Sequence, residues 1–488
     1  MRDLVPRRTL ASVLIGVLFC LVCTAIPSCA QSAATLSGVT TLYVGSFGSE
    51  KGAVATRSRV IRRLQKGRAV RVVSDPAKAD AVVKGTVQIW TTGRVSLTPH
   101  SHSSVQPVVE GFLSVEVVGR NNQTLWSYLV TPSKFLWGGV TDDLARQLVS
   151  RLLGAVKEGD QPEAPITSAS TNLVAKLNGA GATFPAPLYQ KWFQLFQETH
   201  PSMHISYDAV GSAEGIRKLQ QGEIDFGASE VPLTNATVSG GDHNFVQVPI
   251  VLGAVVPIYN IKGVRQSLNF TSDILAGIYL GKIKRWNDRQ IKAANPGAAL
   301  PDAEIAVVHR SDGSGTSFVW SDYLSKVSAG WKAGVGAGDD VKWRVGIGAE
   351  HNEGVASTVQ RTENSIGYVE LVYAIQHQLR FGAVRNAGGE FIKADLASVT
   401  EAARSVDNSD ADSRVSITAS PGKYAYPISS YTWLLLNADV KDKDKKNALV
   451  ELLRWMLTSG QKSCAALGYA PLPENVIGRA LRSVDEIK

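Results

Sequence analysis

Cysteine is scarce. The 488 residues hold four, Cys20, Cys23, Cys29 and Cys464. Neither a disulfide framework nor a metal-ligand spacing follows from them. Long apolar runs are scarce too: beyond residue 27 none is long enough to span a bilayer. No repeat period stands out. Charged residues make up 19% and hydrophobic residues 44%, which excludes a disordered chain and fits ordinary globular protein. The length allows two or three domains.

The one long apolar run is LASVLIGVLFCLVCTAIP, 10 to 27. It follows Arg2, Arg7 and Arg8 and ends in small residues, the pattern of a secretory signal. The alternative is an N-terminal membrane anchor. Cys29 sits just past the run, where a lipid-bearing first residue of an exported lipoprotein would be. Pro27 fits that signal poorly, and cleavage after Ala30 reads equally well. If Cys29 carries lipid, Cys464 is the one thiol left in the mature chain.

Positive charge is unevenly placed within the net +8. Residues 31–160 hold sixteen Lys and Arg against nine Asp and Glu, whereas the part beyond 160 is almost balanced. A basic front half could touch acidic headgroups or nucleic acid. Export argues against nucleic acid, and a soluble surface accounts for the charge. Any anion bound by the rest must be held by local groups.

The stretch VKEGDQPEAPITSASTN, 156 to 172, is polar, has two prolines and lacks periodicity. It reads as a linker. The expected layout is a signal over 1–30, a small α+β domain over 31–157, a linker over 158–173 and a larger unit over 174–488. In the small domain TTLYVGSF, AVRVVS, DAVVKGTVQIW, GFLSVEVVG and TLWSYLV read as strands. RVIRRLQKG, 59 to 67, reads as the end of a helix stopped by Gly67. DDLARQLVSRLLGAV, 142 to 156, has helical spacing, with Asp142 and Asp143 favouring its start. The layout resembles small domains of bacterial envelope-assembly lipoproteins and carries no chemical motif. His100 and His102, with no third ligand in view, read as a solvated loop.

From 176 the pattern changes to strand, glycine turn, helix. KLNGAGATF runs into PLYQKWFQLFQETH, where Pro185 and Pro187 suit a first helical turn. HISYDAVGS precedes EGIRKLQQG, a short helix stopped by Gly222. DFGASEVPLT is a strand and turn. FVQVPIVLGAVVPIYN is apolar and β-rich. This alternation predicts an α/β fold with largely parallel strands. RSDGSGTSF, 310 to 318, adds an arginine, a carboxylate and four hydroxyls to a glycine turn before a helix. Unpaired N–H groups at such a helix start hold anions. The turn lacks the lysine of a nucleotide phosphate loop.

NGAGATFPAPLYQKW, DFGASEVPL, ILAGIYLGKIKRWND, VVHRSDGSGTSFVWSDYL and NSIGYVELVYA, in this order, resemble the periplasmic phosphate-binding protein of the bacterial high-affinity phosphate ABC importer. The resemblance covers about 175–485. It implies a two-lobed periplasmic substrate-binding protein fold with a hinge, here preceded by the small α+β domain. VPIYN (256–260) and ISSYTWLLLN (428–437) are the candidate hinge crossings. Lobe one takes about 175–255 and 430 onward, and lobe two most of 260–425.

The resemblance also implies the ligand groups. Thr183 and Phe184 form the first turn, Ser212 the second, Glu230 the third, and Arg310, Ser314, Gly315 and Thr316 the fourth. Asp312 would pair with and orient Arg310. Read alone, an Arg/Asp pair is an ordinary surface ion pair. Glu230 stands where the family usually has aspartate, and His309 where a second basic residue is common. No cofactor and no metal is implied. The implied partners are inorganic phosphate and the importer's membrane subunits, with envelope components open for the front domain. Two other functions stay open: an envelope-associated phosphate-ester enzyme, and a surface scaffold retaining a phosphate-binding domain. Against the enzyme, no nucleophile–base pair lies in the motifs, since Ser314 has only His309 near it in sequence.

Overall fold

The structure is a computed structural model and describes residues 36, 38–67, 69–96, 105–132, 137–158, 175–233, 245–264, 266–406 and 414–487. The leader with Cys20, Cys23 and Cys29, the His100–His102 loop and most of the linker stretch lie outside the described residues. Among the described residues no helix is long and apolar enough to cross a membrane.

The front unit comprises β1 (Thr41–Val44), α1 (Lys51–Gly67), β2 (Arg71–Val73), β3 (Ala81–Ser96), β4 (Val105–Gly119), β5 (Thr124–Val130) and α2 (Trp137–Glu158). Its five-stranded sheet has the order β2-β1-β3-β4-β5. α1 buries Thr56, Val60 and Leu64, one turn apart, and α2 buries Leu144, Leu148 and Leu152 in the same way. Both helices pack on the sheet face that carries Leu113, Val115 and Val117 of β4. Side chains alternate along a strand, so Phe112 and Ser114 face away from the helices. On β5, Ser127 and Leu129 pair with Glu116 and Ser114 and share that second face.

The second face meets the rest of the chain. Ser114 Oγ donates to the Ala466 carbonyl at 2.6 Å, Ser127 Oγ donates to the Lys462 carbonyl, and the Ala466 amide donates to Ser127 Oγ at 3.2 Å. The front unit is thus a two-layer domain with its own core, fastened to the larger unit through its open sheet face.

In the larger unit β6 (Ala175–Gly181), α3 (Ala186–Thr199), β7 (Met203–Ala209), α4 (Ser212–Gln220) and β8 (Phe226–Ser229) lead into β9 (Phe245–Asn260). There follow β10 (Asn269–Phe270), α5 (Ser272–Tyr279), α6 (Arg289–Ala294), β11 (Ala306–Arg310), α7 (Gly315–Val327), α8 (Ala329–Gly334), β12 (Ile347–Ala349), α9 (His351–Arg361), β13 (Ser365–Glu370), α10 (Leu371–Gln376), β14 (Arg380–Phe381), β15 (Ala383–Arg385), β16 (Phe391–Ile392) and α11 (Leu396–Ser405). The chain returns on β17 (Ser429–Asn437) and ends with α12 (Lys443–Leu457), α13 (Gln461–Cys464) and α14 (Glu474–Asp485).

β9 is shared by two lobes. Its residues 245–254 pair with β17, and 255–260 pair with β13. The partner changes at Val255, whose amide donates to the Ile428 carbonyl just before β17. The outgoing and returning crossings therefore lie side by side at the waist. This arrangement corrects the expectation of largely parallel strands. β6, β7 and β8 are parallel, as are β11, β12 and β13, but β9 and β17 are antiparallel to their neighbours. A chain that leaves one lobe on one strand and returns on its neighbour must run that pair in opposite directions. β9 also carries Pro249 and Pro257, and Pro249 sits at a register shift opposite Thr432 and Trp433. A proline cannot donate to the ladder, so a bulge there is the low-cost solution. The Ile250 carbonyl accepts instead from Gln461 Nε2 at 2.8 Å.

Candidate functional site

The glycine turns end strands and open helices on both sides of the cleft. In lobe one, β6 ends at Gly181 (φ 143°), and a Cβ there would lie 2.3 Å from the Ala228 carbonyl oxygen. Only glycine lets the turn close this tightly on β8. Thr183 and Phe184 follow, buried, just before α3. Gly211 (φ 97°) caps α4, whose first residue is Ser212. Glu230 immediately follows β8. In lobe two, Arg310 ends β11. Ser314 caps α7 by accepting from the Ser317 amide at 3.1 Å. The first amides of a helix have no partner within it, and the helix dipole makes this end positive.

The implied residues meet in one place, and they meet across the lobes. The Gly315 amide donates to Ser212 Oγ at 3.1 Å, and the Ala213 amide donates to the Gly313 carbonyl at 3.3 Å. Ser212 Oγ donates to Glu230 Oε2 at 3.2 Å, and Thr432 Oγ1 donates to Glu230 Oε1 at 2.9 Å. A Cβ on Gly315 would fall 2.3 Å from Glu230 Oε2 and 2.4 Å from Ser212 Oγ. The lobes are therefore closed on each other.

Arg310 is 2% exposed. Its Nε donates to Asp312 Oδ1 at 2.6 Å, and its Nη2 donates to Asp312 Oδ2. Asp312 Oδ1 also accepts from the His351 amide at 3.1 Å. Burial alone would raise the Asp312 carboxyl. The bonds and charge of Arg310, with the His351 amide, outweigh that and hold it below the usual range. Among the described residues Arg310 Nη1 is buried without a hydrogen-bond partner. One edge of the guanidinium is thus fixed by Asp312, and a further donor remains uncommitted.

Glu230 is 1% exposed. Burial pushes its carboxyl up to about 7, against the lowering effects of Thr432, Ser212 and the Arg310 charge. It is poised to hold or release a proton near neutrality.

Four residues escaped sequence reading. Asn352, fully buried near the start of α9, donates through Nδ2 to Thr183 Oγ1 at 2.8 Å and to Thr316 Oγ1 at 3.1 Å. Its Oδ1 accepts from the Glu370 amide at 2.9 Å. Tyr373 donates its hydroxyl to the Thr183 carbonyl at 2.6 Å. Thr432 reaches Glu230 from β17. Glu370 is buried with Oε1 unpartnered among the described residues, and burial, with the nearby Glu230 charge, pushes it well above the carboxylate range. NSIGYVELVYA contains Glu370 and Tyr373, but nothing in its pattern points at the cleft. His309 does not supply a second basic contact. It stacks on Trp343 with centroids 5.0 Å apart, Nδ1 lies 2.9 Å from the Arg310 carbonyl, and burial lowers its affinity for a proton. Among the described residues no cluster of His, Cys, Asp and Glu is arranged to hold a metal.

A cleft between two α/β lobes, with helix starts on both sides, is a common arrangement, so comparison with known proteins decides the family. Residues 167–459 match the family described as PBP superfamily domain. A phosphate-binding protein PstS of Xylella fastidiosa (strain 9a5c) is 40% identical over 326 residues, which span 66% of this chain and 88% of that protein. The chain belongs to the PstS phosphate-binding protein family. A more distant member from Methanocaldococcus jannaschii is 37% identical over 332 residues, covering 63% of this chain and 85% of that one. Among solved structures, a high-affinity periplasmic phosphate-binding protein with bound phosphate shares the fold. It is 18% identical, with a TM-score of 0.51, over 62% of this chain and 92% of that chain. The superfamily match begins past α2 and so does not include β1 to α2.

Proposed function

We propose that this chain binds inorganic phosphate between its lobes and delivers it to the membrane subunits of an ABC importer. The observation that carries the reading is Arg310. A buried guanidinium held by Asp312 on one edge, with Nη1 uncommitted, calls for an acceptor in the cleft, because a buried donor without one is costly. The acceptor is an oxyanion. Thr183, Phe184, Ser212, Ser314, Gly315 and Thr316 supply hydroxyls and helix-start amides around it, and Arg310 supplies the charge-assisted bonds. Asp312 orients Arg310. Glu230 reads the proton that hydrogen phosphate still carries.

The relatives are named as binding proteins, which favours binding over turnover. Export to the periplasm or cell envelope follows from the leader, with a lipid anchor at Cys29 as one form of it. The front domain would face envelope components. Calorimetry of the exported protein with phosphate, sulfate and arsenate tests the reading. Phosphate should bind stoichiometrically and sulfate far more weakly. Absence of any heat with phosphate, in protein freed of it beforehand, would overturn the proposal. A phosphatase assay with and without divalent metal should stay at background.

A further inference from the structure

Asn352 bridges a hydroxyl of each lobe among those proposed to hold the ligand. Thr183 comes from the turn before α3 in lobe one, Thr316 from the first turn of α7 in lobe two, and Asn352 Nδ2 donates to both. The orientation of its amide does not rest on a choice between two similar atoms. The Glu370 backbone N–H can only donate, so the atom facing it at 2.9 Å must be the amide oxygen. The nitrogen then faces the two hydroxyls. Each amide hydrogen has one acceptor, and the group is fully buried and fully satisfied.

The consequence lies in the hydroxyls. A threonine hydroxyl has one proton and two lone pairs. When it accepts from an amide N–H, its own proton must point elsewhere. We propose that Asn352 is a positioning residue, spanning the cleft, that turns the hydroxyl protons of Thr183 and Thr316 toward the bound anion. It does not touch the ligand. It occupies one lone pair of each hydroxyl and keeps each proton off the Asn352 side, so that one hydroxyl from each jaw has its proton free for the cleft. A donor fixed before binding needs no reorientation when the anion arrives, which is the advantage of preorganisation. It also sets selectivity. A ligand oxygen that carries a proton finds only one remaining neutral lone pair at either threonine, and turns that proton to the carboxylate of Glu230, the stronger acceptor in the cleft. The bond to Thr183 crosses from lobe two to lobe one, so the same residue ties hydroxyl orientation to closure.

This inference rests on the oxyanion reading of the cleft, and its test keeps the two apart. Phosphate affinity of the full chain is measured by calorimetry for wild type, Asn352→Ala, the double variant Thr183→Val/Thr316→Val, and the triple variant. If wild type binds no phosphate, the site reading fails by itself. If it binds, Asn352→Ala should weaken phosphate roughly ten- to hundredfold, the loss expected for two oriented hydrogen bonds. In the valine background the same substitution should cost less than about threefold, because no hydroxyl remains to be oriented. An equal loss in both backgrounds would make Asn352 a packing residue and overturn the proposal, as would no loss in either. Asn352→Asp keeps the shape and the acceptor for the Glu370 amide, and so guards against misfolding of the alanine variant. At neutral pH its carboxylate draws both hydroxyl protons inward, and phosphate should bind over about a hundredfold more weakly, recovering as the introduced carboxyl is protonated. Binding by this variant equal to wild type at pH 7 would equally sink the idea.

Discussion

Glu230→Gln isolates the proton chemistry of the cleft. The wild-type carboxyl is 1% exposed and titrates at about 7 in the folded chain, against 4.5 for the free side chain, because burial disfavours its charge. In the folded protein it keeps its proton over a range where the unfolded chain has lost it. The resulting stabilisation is fully present below about pH 4.5 and is lost as the pH climbs through 7. The gap between the two values corresponds to about 3 kcal/mol. Most of that change falls between pH 5 and pH 8. The glutamine has nearly the same shape, and its oxygen can still accept from Ser212 or Thr432, but it does not titrate. Urea denaturation of phosphate-free protein at several pH values gives the difference between wild type and variant. That difference should shift by about 3 kcal/mol across the range, wild type losing ground as pH rises. Glu370 also titrates upward, but it contributes to both proteins and largely cancels. A difference that stays flat with pH would show that Glu230 does not carry a raised pKa.

The same substitution tests ligand selectivity. An ionised or shared carboxyl can pair with a phosphate that carries a proton. Sulfate has none to offer and meets an unpaired like charge. Wild type should therefore prefer phosphate, and Glu230→Gln should narrow the preference by about tenfold or more, with Glu230→Leu narrowing it further. Equal phosphate-to-sulfate ratios in all three proteins would remove Glu230 from the role of proton reader.

Arg310→Ala should weaken phosphate binding well over tenfold, and it should also destabilise the fold by about 3–5 kcal/mol because it strands Asp312 without its partner. Adding Asp312→Asn should restore much of the stability in denaturant titrations and none of the binding; recovery of binding would contradict the ligand role of Arg310. Gly315→Ala places a methyl group 2.3 Å from Glu230 Oε2, so closure should fail, read as a larger radius by small-angle scattering in saturating phosphate than wild type shows. Ser127→Val removes the hydroxyl that accepts from the Ala466 amide and donates to the Lys462 carbonyl, and should loosen the front domain by about 1–3 kcal/mol in a thermal melt, with phosphate affinity unchanged.

What the sequence could disclose followed from how local each signal is. RSDGSGTSF announces a strand end, a cap and a helix start within nine positions. A capping serine, glycines that permit tight approach and an arginine with a carboxylate two residues away all act over one turn of chain. The residues that complete the site act over long separations. Asn352 lies 169 positions from Thr183, in a helix start that differs little from any other. Thr432 sits in an apolar strand, where a threonine reads as an ordinary β-branched residue. It reaches Glu230 beside the register shift opposite Pro249, and no pattern along the chain pairs those two strands. The antiparallel middle of the sheet escaped notice for the same reason. FVQVPIVLGAVVPIYN shows a buried strand, but not that its first ten residues belong to one lobe and its last six to the other. His309 stands where the family commonly has a second basic residue, and its use here is equally non-local: Trp343, 34 positions on, takes its ring face. The donors proposed for the anion are thus written in local turns, and the groups proposed to fix the direction of their protons are set by the closed fold.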